Sequence, residues 1–308
     1  MSSNTSSLQQ KLAVIKKVFD TSKVLSLQPT LVSIAKYYQI NKIPYSLFHS
    51  RDDLIYMGIS RDGTYKDEDL LEHAKLVEKY IQQIQAKEVL ELATGRGASS
   101  SYLAKRHSDV KFAGVDLPKG HISYAVKKAK QLPNYHPVAG DYHDLSRFPD
   151  DTFDIVFVIE ALCYSTRKNI VLNEVKRVLR KGGIFIVFDG YSEKEEKLLS
   201  AEEATAKELT AKGMVVEHFD YYTDFTSLLK KAGFTIIQEE DVSKYIMPTL
   251  YKFERTAQRF FSLPQFLAQM LVKILPPEFT HNAISAYLMP TLVKNGVFGY
   301  QITVGKEE

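Results

Sequence analysis

Gly95 and Gly97 follow an apolar run, Val89-Leu90-Glu91-Leu92, and Asp116 closes the next one, Phe112-Ala113-Gly114-Val115, roughly 20 residues beyond them. Glycines at a strand end allow torsions and close ligand approach that a side chain would block. A helix starting at about Ala98 would add free amide donors and the positive end of its dipole. A carboxylate at the position of Asp116 can chelate a ribose diol, so the three features together form a cradle for a nucleotide-type ligand. Farther on, Glu160 ends the run Ile155-Val156-Phe157-Val158-Ile159. A carboxylate behind five apolar residues must find a hydrogen-bond donor or a cation. Glu160 and His143 are therefore the candidate catalytic groups, either of which could take a proton from a hydroxyl. No His-Glu-x-x-His run and no Ser-His-Asp signature occurs, which argues against metalloenzyme and hydrolase chemistry.

Elements that could position these groups are legible from periodicity. From Leu8 to about Asn41 the apolar spacing predicts two amphipathic helices. Residues 42 to 66 are irregular and aromatic, with Tyr45, Phe48, His49, Tyr56 and Met57 around Gly58, and suit a lid. Asp67 to Gln85 reads as a helix that delivers the chain to the first strand, Glu88 to Leu92. Further strands are expected at Lys111–Asp116, before Gly140-Asp141-Tyr142, at Phe153–Ile159, Ile184–Phe188, Thr235–Ile237 and Gly299–Val304. Helices are expected at Ile122–Ala129, Arg167–Arg180 with Gly182-Gly183 stopping it, and Phe225–Ala232. Glu193–Lys212, rich in Glu, Lys and Ala, reads as an exposed helix after the fifth strand. Between Ile246 and Leu292 two apolar helices, separated by Pro276-Pro277, are too large for a connector and suit a cap over a substrate mouth, a dimer face or a membrane contact.

The pattern Glu91-Leu92-Ala93-Thr94-Gly95-Arg96-Gly97 resembles the first motif of class I S-adenosylmethionine (SAM) dependent methyltransferases, with Ala93 where that family usually has glycine. The run from Phe153-Asp154-Ile155-Val156 through Val178-Leu179-Arg180-Lys181-Gly182-Gly183 matches the family's later landmarks, and the resemblance covers about Leu71 to Val242 plus the closing strand. Within the family, Ile159-Glu160-Ala161-Leu162-Cys163-Tyr164 is similar to the Ile-Glu-Ala-Thr-Cys-His segment of sterol C-methyltransferases, apart from Leu162 and Tyr164; the tocopherol-type enzymes are also similar. The resemblance implies an α/β fold: a Rossmann-like, seven-stranded, mostly parallel sheet with helices on both faces, plus N-terminal helices and a C-terminal helical cap. It implies four segments: helices and lid at 1–66, a SAM-binding core at 67–245, a cap at 246–297, and a closing strand and tail at 298–308. It also implies SAM as cofactor, S-adenosylhomocysteine as product, and no metal. The cofactor-binding residues would be Glu91, Ala93, Thr94, Gly95, Gly97, Asp116, Leu117, His121, Asp141, Tyr142 and Ile159, with Asp141 on the adenine amino group. Tyr45, His49, Tyr56, Tyr164, Tyr191 and Tyr245 are candidates for the substrate walls. A hydroxyl acceptor would use His143 or Glu160 as base, whereas an alkene acceptor would use Glu160 and aromatic faces to steady a transient cation.

Composition narrows the partners. The 308 residues are 44% hydrophobic, and 40 basic against 37 acidic residues leave a net charge of only +3. That balance lacks the basic footprint of a nucleic-acid binder and favours a small hydrophobic or lipid-like substrate. No run of about 18 apolar residues occurs, so no transmembrane span is expected, while peripheral membrane contact and a homodimer through the C-terminal helices stay open. Met1 to Ser7 lacks the features of a signal peptide and reads as a disordered start. The single cysteine, Cys163, excludes an internal disulfide and fits a reducing, cytoplasmic setting; it reads as a small buried apolar residue. A dinucleotide-dependent oxidoreductase would share the first unit but prefer a third glycine at Ser100, and a non-catalytic SAM-binding scaffold is the remaining alternative.

Overall fold

The computed structural model describes residues 7–42, 53–118 and 121–308. Its centre is one seven-stranded sheet made of β1 (Glu88–Leu92), β2 (Lys111–Asp116), β3 (Tyr135–Ala139), β4 (Phe153–Ile159), β5 (Leu179–Ser192), β6 (Phe234–Asp241) and β7 (Phe298–Glu307), in the order β3-β2-β1-β4-β5-β7-β6. The first five strands pair in parallel, and β7 runs antiparallel between β5 and β6. Leu90 sits between Ala113 of β2 and Val156 of β4. Strand order reverses at that point, so a crevice opens beyond the carboxyl ends of β1 and β4, where open α/β sheets bind ligands.

Both faces of the sheet are buried, which is why Ile155–Ile159 of β4 and Ile184–Phe188 of β5 are continuous apolar runs rather than alternating. Val89, Phe112, Phe157 and Phe188 pack on one face with the Glu72–Ile84 helix, and Val156, Val158, Phe185 and Val187 pack on the other with the Lys168–Val178 helix. A third cluster lies away from the sheet and joins Leu12 and Ile15, Leu209 of the Ala201–Gly213 helix, and Ile284, Leu288 and Leu292 of the Asn282–Lys294 helix. Across it, buried Lys11 Nζ meets Glu254 Oε1 at 2.5 Å, the Tyr287 carbonyl at 2.8 Å and Thr291 Oγ1 at 2.7 Å.

Several element boundaries differ from the sequence reading. Three N-terminal helices replace two: Leu8–Val18, Thr21–Leu25 and Leu31–Ile40. The break comes from Asp20, whose side chain caps Lys23 N–H and restarts the helix. Gly182-Gly183 does not stop the Lys168–Val178 helix, which ends earlier because the Asp151 and Thr152 amides take the carbonyls of Arg177 and Val178. The glycines instead lie inside β5, where Gly182 takes φ +77° and a side chain on Gly183 would strike the Arg180 carbonyl. The Ala201–Gly213 helix is not an exposed appendage: Ala206, Leu209 and Thr210 are fully buried in the third cluster. The apolar C-terminal region comprises four helices, Ser243–Phe261, Gln265–Ile274, Pro277–Thr280 and Asn282–Lys294, with Pro248 and Pro290 inside the first and last. Among the described residues no helix is long and apolar enough to cross a membrane. The expected disordered start lies almost wholly outside the described residues.

Candidate functional site

Beyond Leu92 the chain turns through Ala93 (φ +50°), Gly95 (φ +56°) and Gly97 (φ +69°) before the Ala98–Arg106 helix begins. Ala93 thus holds the left-handed conformation that glycine takes freely, at a cost of about 1 to 2 kcal/mol. Glu91 braces the turn from within: its Oε2 accepts the Thr94 hydroxyl at 2.6 Å, the Ser100 hydroxyl at 2.5 Å and the Ser100 amide at 3.3 Å. Ser100, standing where a dinucleotide fingerprint has its third glycine, therefore ties the helix start to β1. Burial raises Glu91 to about 7 despite these donors. Asp116 Oδ2 accepts the Gly95 amide at 2.6 Å, and burial pushes this carboxyl up to about 6, so it gains from a polar ligand beside it. Packing also requires Gly97. A Cβ there would lie 2.6 Å from the Tyr135 hydroxyl and 2.8 Å from Ala125 Cβ.

Glu160 follows β4 with φ +48°, an uncommon conformation for a residue with a side chain. Its amide reaches the Phe188 carbonyl at 2.8 Å, which fixes the turn and aims the side chain across the crevice. Oε1 accepts the Met57 amide at 2.6 Å and the Tyr300 hydroxyl at 2.9 Å. Behind Tyr300, buried His73 Nε2 lies 3.0 Å from the same hydroxyl, and burial lowers His73 to about 3, so it is neutral. Desolvation raises Glu160 to about 8; the two donors oppose the shift and buried Asp189 adds to it. Glu160 is half-buried and lines a large cavity.

That cavity has a volume of about 530 Å³ and runs from the strand ends to the C-terminal helices. Glu91, Ala93, Thr94, Gly95, Asp116, Leu117, His121, Asp141, Tyr142 and Ile159 line it on the strand side, together with Glu160. His121 bonds the Tyr38 carbonyl through Nε2 at 2.9 Å and leaves Nδ1 without a partner. On the helix side the walls are mostly apolar, including Ile34, Leu250, Phe253, Phe260, Leu271 and Met289, with Asn41, Thr256, Thr280, Asn282 and Ser285 as polar spots. Tyr56, Tyr164 and Tyr191 also line the cavity. Tyr245 does not; its ring lies beneath Arg61 and Lys244 instead. Tyr45 and His49 fall outside the described residues.

His143 lies outside the cavity lining: Nδ1 meets Asp141 Oδ1 at 2.6 Å and Nε2 meets the Ser165 hydroxyl at 2.8 Å. With both nitrogens engaged, it orients Asp141, whose carboxyl it holds below the usual range. Cys163 is only half-buried and lines the cavity, with its amide on Asp189 Oδ2.

Other residues of the site had no sequence signal or a weak one. Arg96, inside the glycine turn, is fully buried, bonds Asp53 Oδ1 at 2.9 Å and the Lys42 carbonyl at 2.5 Å, and stacks over Tyr124. A cation between two glycines was a legible hint. Met57 was legible only as part of the expected lid segment, and Tyr300, His73 and Tyr38 carried none, because long-range pairing alone brings them here. Met57 and Gly58 are pinned to Glu160 and Thr249, and the Tyr56 hydroxyl lies 2.5 Å from Ser99 Oγ.

A family model described as a methyltransferase domain matches residues 84–250. The fatty-acid O-methyltransferase of Mycolicibacterium smegmatis is 36% identical over 106 residues, 34% of this chain and 38% of that protein. The 24-methylenesterol C-methyltransferase 2 of Arabidopsis thaliana is 25% identical over 174 residues, 56% of this chain and 48% of that protein. Each match spans less than half of the relative's own length. In fold, the chain is similar to the cyclopropane synthase MmaA2 from Mycobacterium tuberculosis, with a TM-score of 0.73 at 15% identity over 92% of this chain and 100% of that one.

Proposed function

This chain belongs to the methyltransferase-domain family, and we propose that it uses SAM to methylate a lipid-like acceptor that carries no phosphate. The observation that carries this reading is the division of the one cavity: carboxylates and a glycine turn at the strand ends, hydrocarbon walls beneath the helices. Bound at the strand ends, SAM would supply a methyl group on a positively charged sulfur. Asp116 suits its ribose hydroxyls, because a half-buried carboxylate that takes the amides of Gly95 and Leu117 still has acceptor capacity to spare. Asp141, oriented by His143, suits the adenine amino group.

The acceptor class follows from the other end. Among the described lining residues Arg96 is the only lysine or arginine, and Asp53 already engages it. A phosphorylated head would find only this already engaged cation among the described lining residues, whereas a hydrocarbon body fits the walls. The relatives' acceptors, a fatty acid and a sterol by their names, are of that kind. Glu160 stands between the two ends. Raised to about 8, it is mostly protonated near neutral pH in the ligand-free chain; a positively charged sulfur bound beside it would favour the ionised form, which can take a proton from an acceptor hydroxyl or oppose a cation developing on carbon. Methyl transfer is an in-line displacement, so alignment and exclusion of water by the enclosed walls contribute much of the rate.

The test is turnover of methyl-labelled SAM with a long-chain fatty acid, a sterol and a prenyl diphosphate offered in parallel. Label should enter one of the first two classes. Transfer to the diphosphate alone would refute the acceptor class, and no calorimetric binding of SAM would refute the cofactor.

A further inference from the structure

Exposed apolar side chains usually scatter singly over a soluble surface. Here they concentrate on two neighbouring elements. Phe266 (68% exposed), Met270 and Ile274 (69%) stand at i, i+4 and i+8 of the Gln265–Ile274 helix and form one outward stripe. The helix is apolar on its inner side as well, where Ala268 is buried and Leu271 lines the cavity. Gln265, Gln269 and Lys273 make a polar stripe between these two apolar sides, and the outer apolar stripe stays exposed among the described residues. Leu27, Leu31 and Val32 (79%) make the second element, before and at the start of the Leu31–Ile40 helix. Leu31 is both exposed and part of the cavity wall, and Leu275, next to Ile274, lines the same cavity. The exposed patch and the acceptor end of the cavity are therefore continuous.

Charge around the patch is mostly positive. Lys16, Lys17 and Lys23 are exposed, Lys36 pairs with Glu278 at 2.6 Å, and Asp20 is the only acid between residues 8 and 42. The Gln269 side chain bonds the Lys17 carbonyl at 2.9 Å, which sets the apolar stripe beside that basic turn, and Lys273 stands at its far end. The chain as a whole is nearly balanced, so this excess is local. Apolar residues rimmed by lysines match the boundary between anionic headgroups and acyl chains. A second copy of the chain on a two-fold axis would instead bring lysine-rich rims together.

We propose that this face docks on a bilayer surface containing anionic lipids, with Val32, Phe266 and Ile274 among the acyl chains and the lysines at headgroup level. Held there, the cavity mouth would receive its acceptor directly from the lipid phase. That last step rests on the methyltransferase reading; the docking does not, and it is measured without turnover.

The chain has no tryptophan, so Phe266→Trp places a single reporter on the stripe. Its emission should shift to the blue on vesicles of phosphatidylcholine with phosphatidylglycerol and be quenched by brominated acyl chains. In co-sedimentation, Phe266→Glu/Ile274→Glu should weaken vesicle binding by about ten-fold or more, since two large apolar groups lose their burial. Lys16→Glu/Lys17→Glu should remove the preference for phosphatidylglycerol. These sites are exposed, and unchanged circular dichroism verifies that each variant folds. The proposal is overturned if Phe266→Trp emission is unmoved by either vesicle, or if wild type and the Glu variant sediment equally. A dimer that the Glu variant disperses, with no vesicle binding, would also overturn it and assign the face to a second copy.

Discussion

At the strand ends the cavity floor is held by short polar contacts between residues close in sequence: Glu91 grips Thr94 and Ser100, and Asp141 grips His143. Over the cavity, the helical roof is held by apolar packing among segments from the two ends of the chain, with the buried Lys11–Glu254 pair as its polar pin. The floor must keep amides and carboxylates aimed at a ligand, so its groups satisfy one another and hold the backbone in left-handed turns. The roof needs only to exclude water and fit a hydrocarbon, and this demands volume rather than aim. One cavity thus combines a site whose geometry is specified locally with one whose shape is specified globally.

Breaking the pin should have the largest effect. Lys11→Met leaves Glu254 buried without its cation and should cost about 3 to 5 kcal/mol, while Lys11→Met/Glu254→Leu should recover most of it. Urea unfolding of both variants checks this, and equal stability of the single and double variants would show that the pin is not charge-dependent. Gly97→Ala strikes the floor instead. The clash with Tyr135 and Ala125, together with the positive φ, should cost about 3 kcal/mol, and SAM affinity should fall with it. If that variant melts like wild type, the floor is more plastic than its contacts imply.

Smaller effects separate binding from chemistry within the floor. Asp116→Ala should weaken SAM by about 1 to 3 kcal/mol in calorimetry, the cost of ribose hydroxyls left without their acceptor, with thermal stability nearly kept. Glu160→Gln should lower turnover about ten-fold, on the order of 1.4 kcal/mol, with SAM affinity much less changed. Equal turnover at saturating acceptor would reduce Glu160 to a structural residue. The pH dependence tests the same group. Glu160, Glu91 and Asp116 are all raised by burial, to about 8, 7 and 6, so the folded ligand-free chain binds more protons than the unfolded one above the ordinary carboxylate range. Stability should therefore decline as pH rises from about 5 to 8, and Glu160→Gln should flatten the upper part of that decline.

The floor was legible in the sequence because its determinants are local. An apolar run, a glycine turn and a carboxylate at the end of the next strand dictate a βαβ unit and its ligand side without reference to the rest of the chain. The sheet itself followed from seven apolar runs at the expected spacing, and Glu160 from a charge that five apolar residues could not satisfy. What the sequence could not supply were partners far away along the chain. Met57 and Tyr300 meet Glu160 across 103 and 140 residues, and Lys11 meets Glu254 across 243, pairings that only the packed fold creates. The same holds for the surroundings of His143 and Gly97. Residue type and position suggested a base and a ligand contact, but Ser165 on the second imidazole nitrogen, and Tyr135 and Ala125 around the missing Cβ, come from other elements. Hydrophobic periodicity and turn chemistry act over a few residues and so can be read in one dimension. The surroundings of a buried charge are set by which surfaces close over it, and that is decided only when the sheet and both sets of helices have packed.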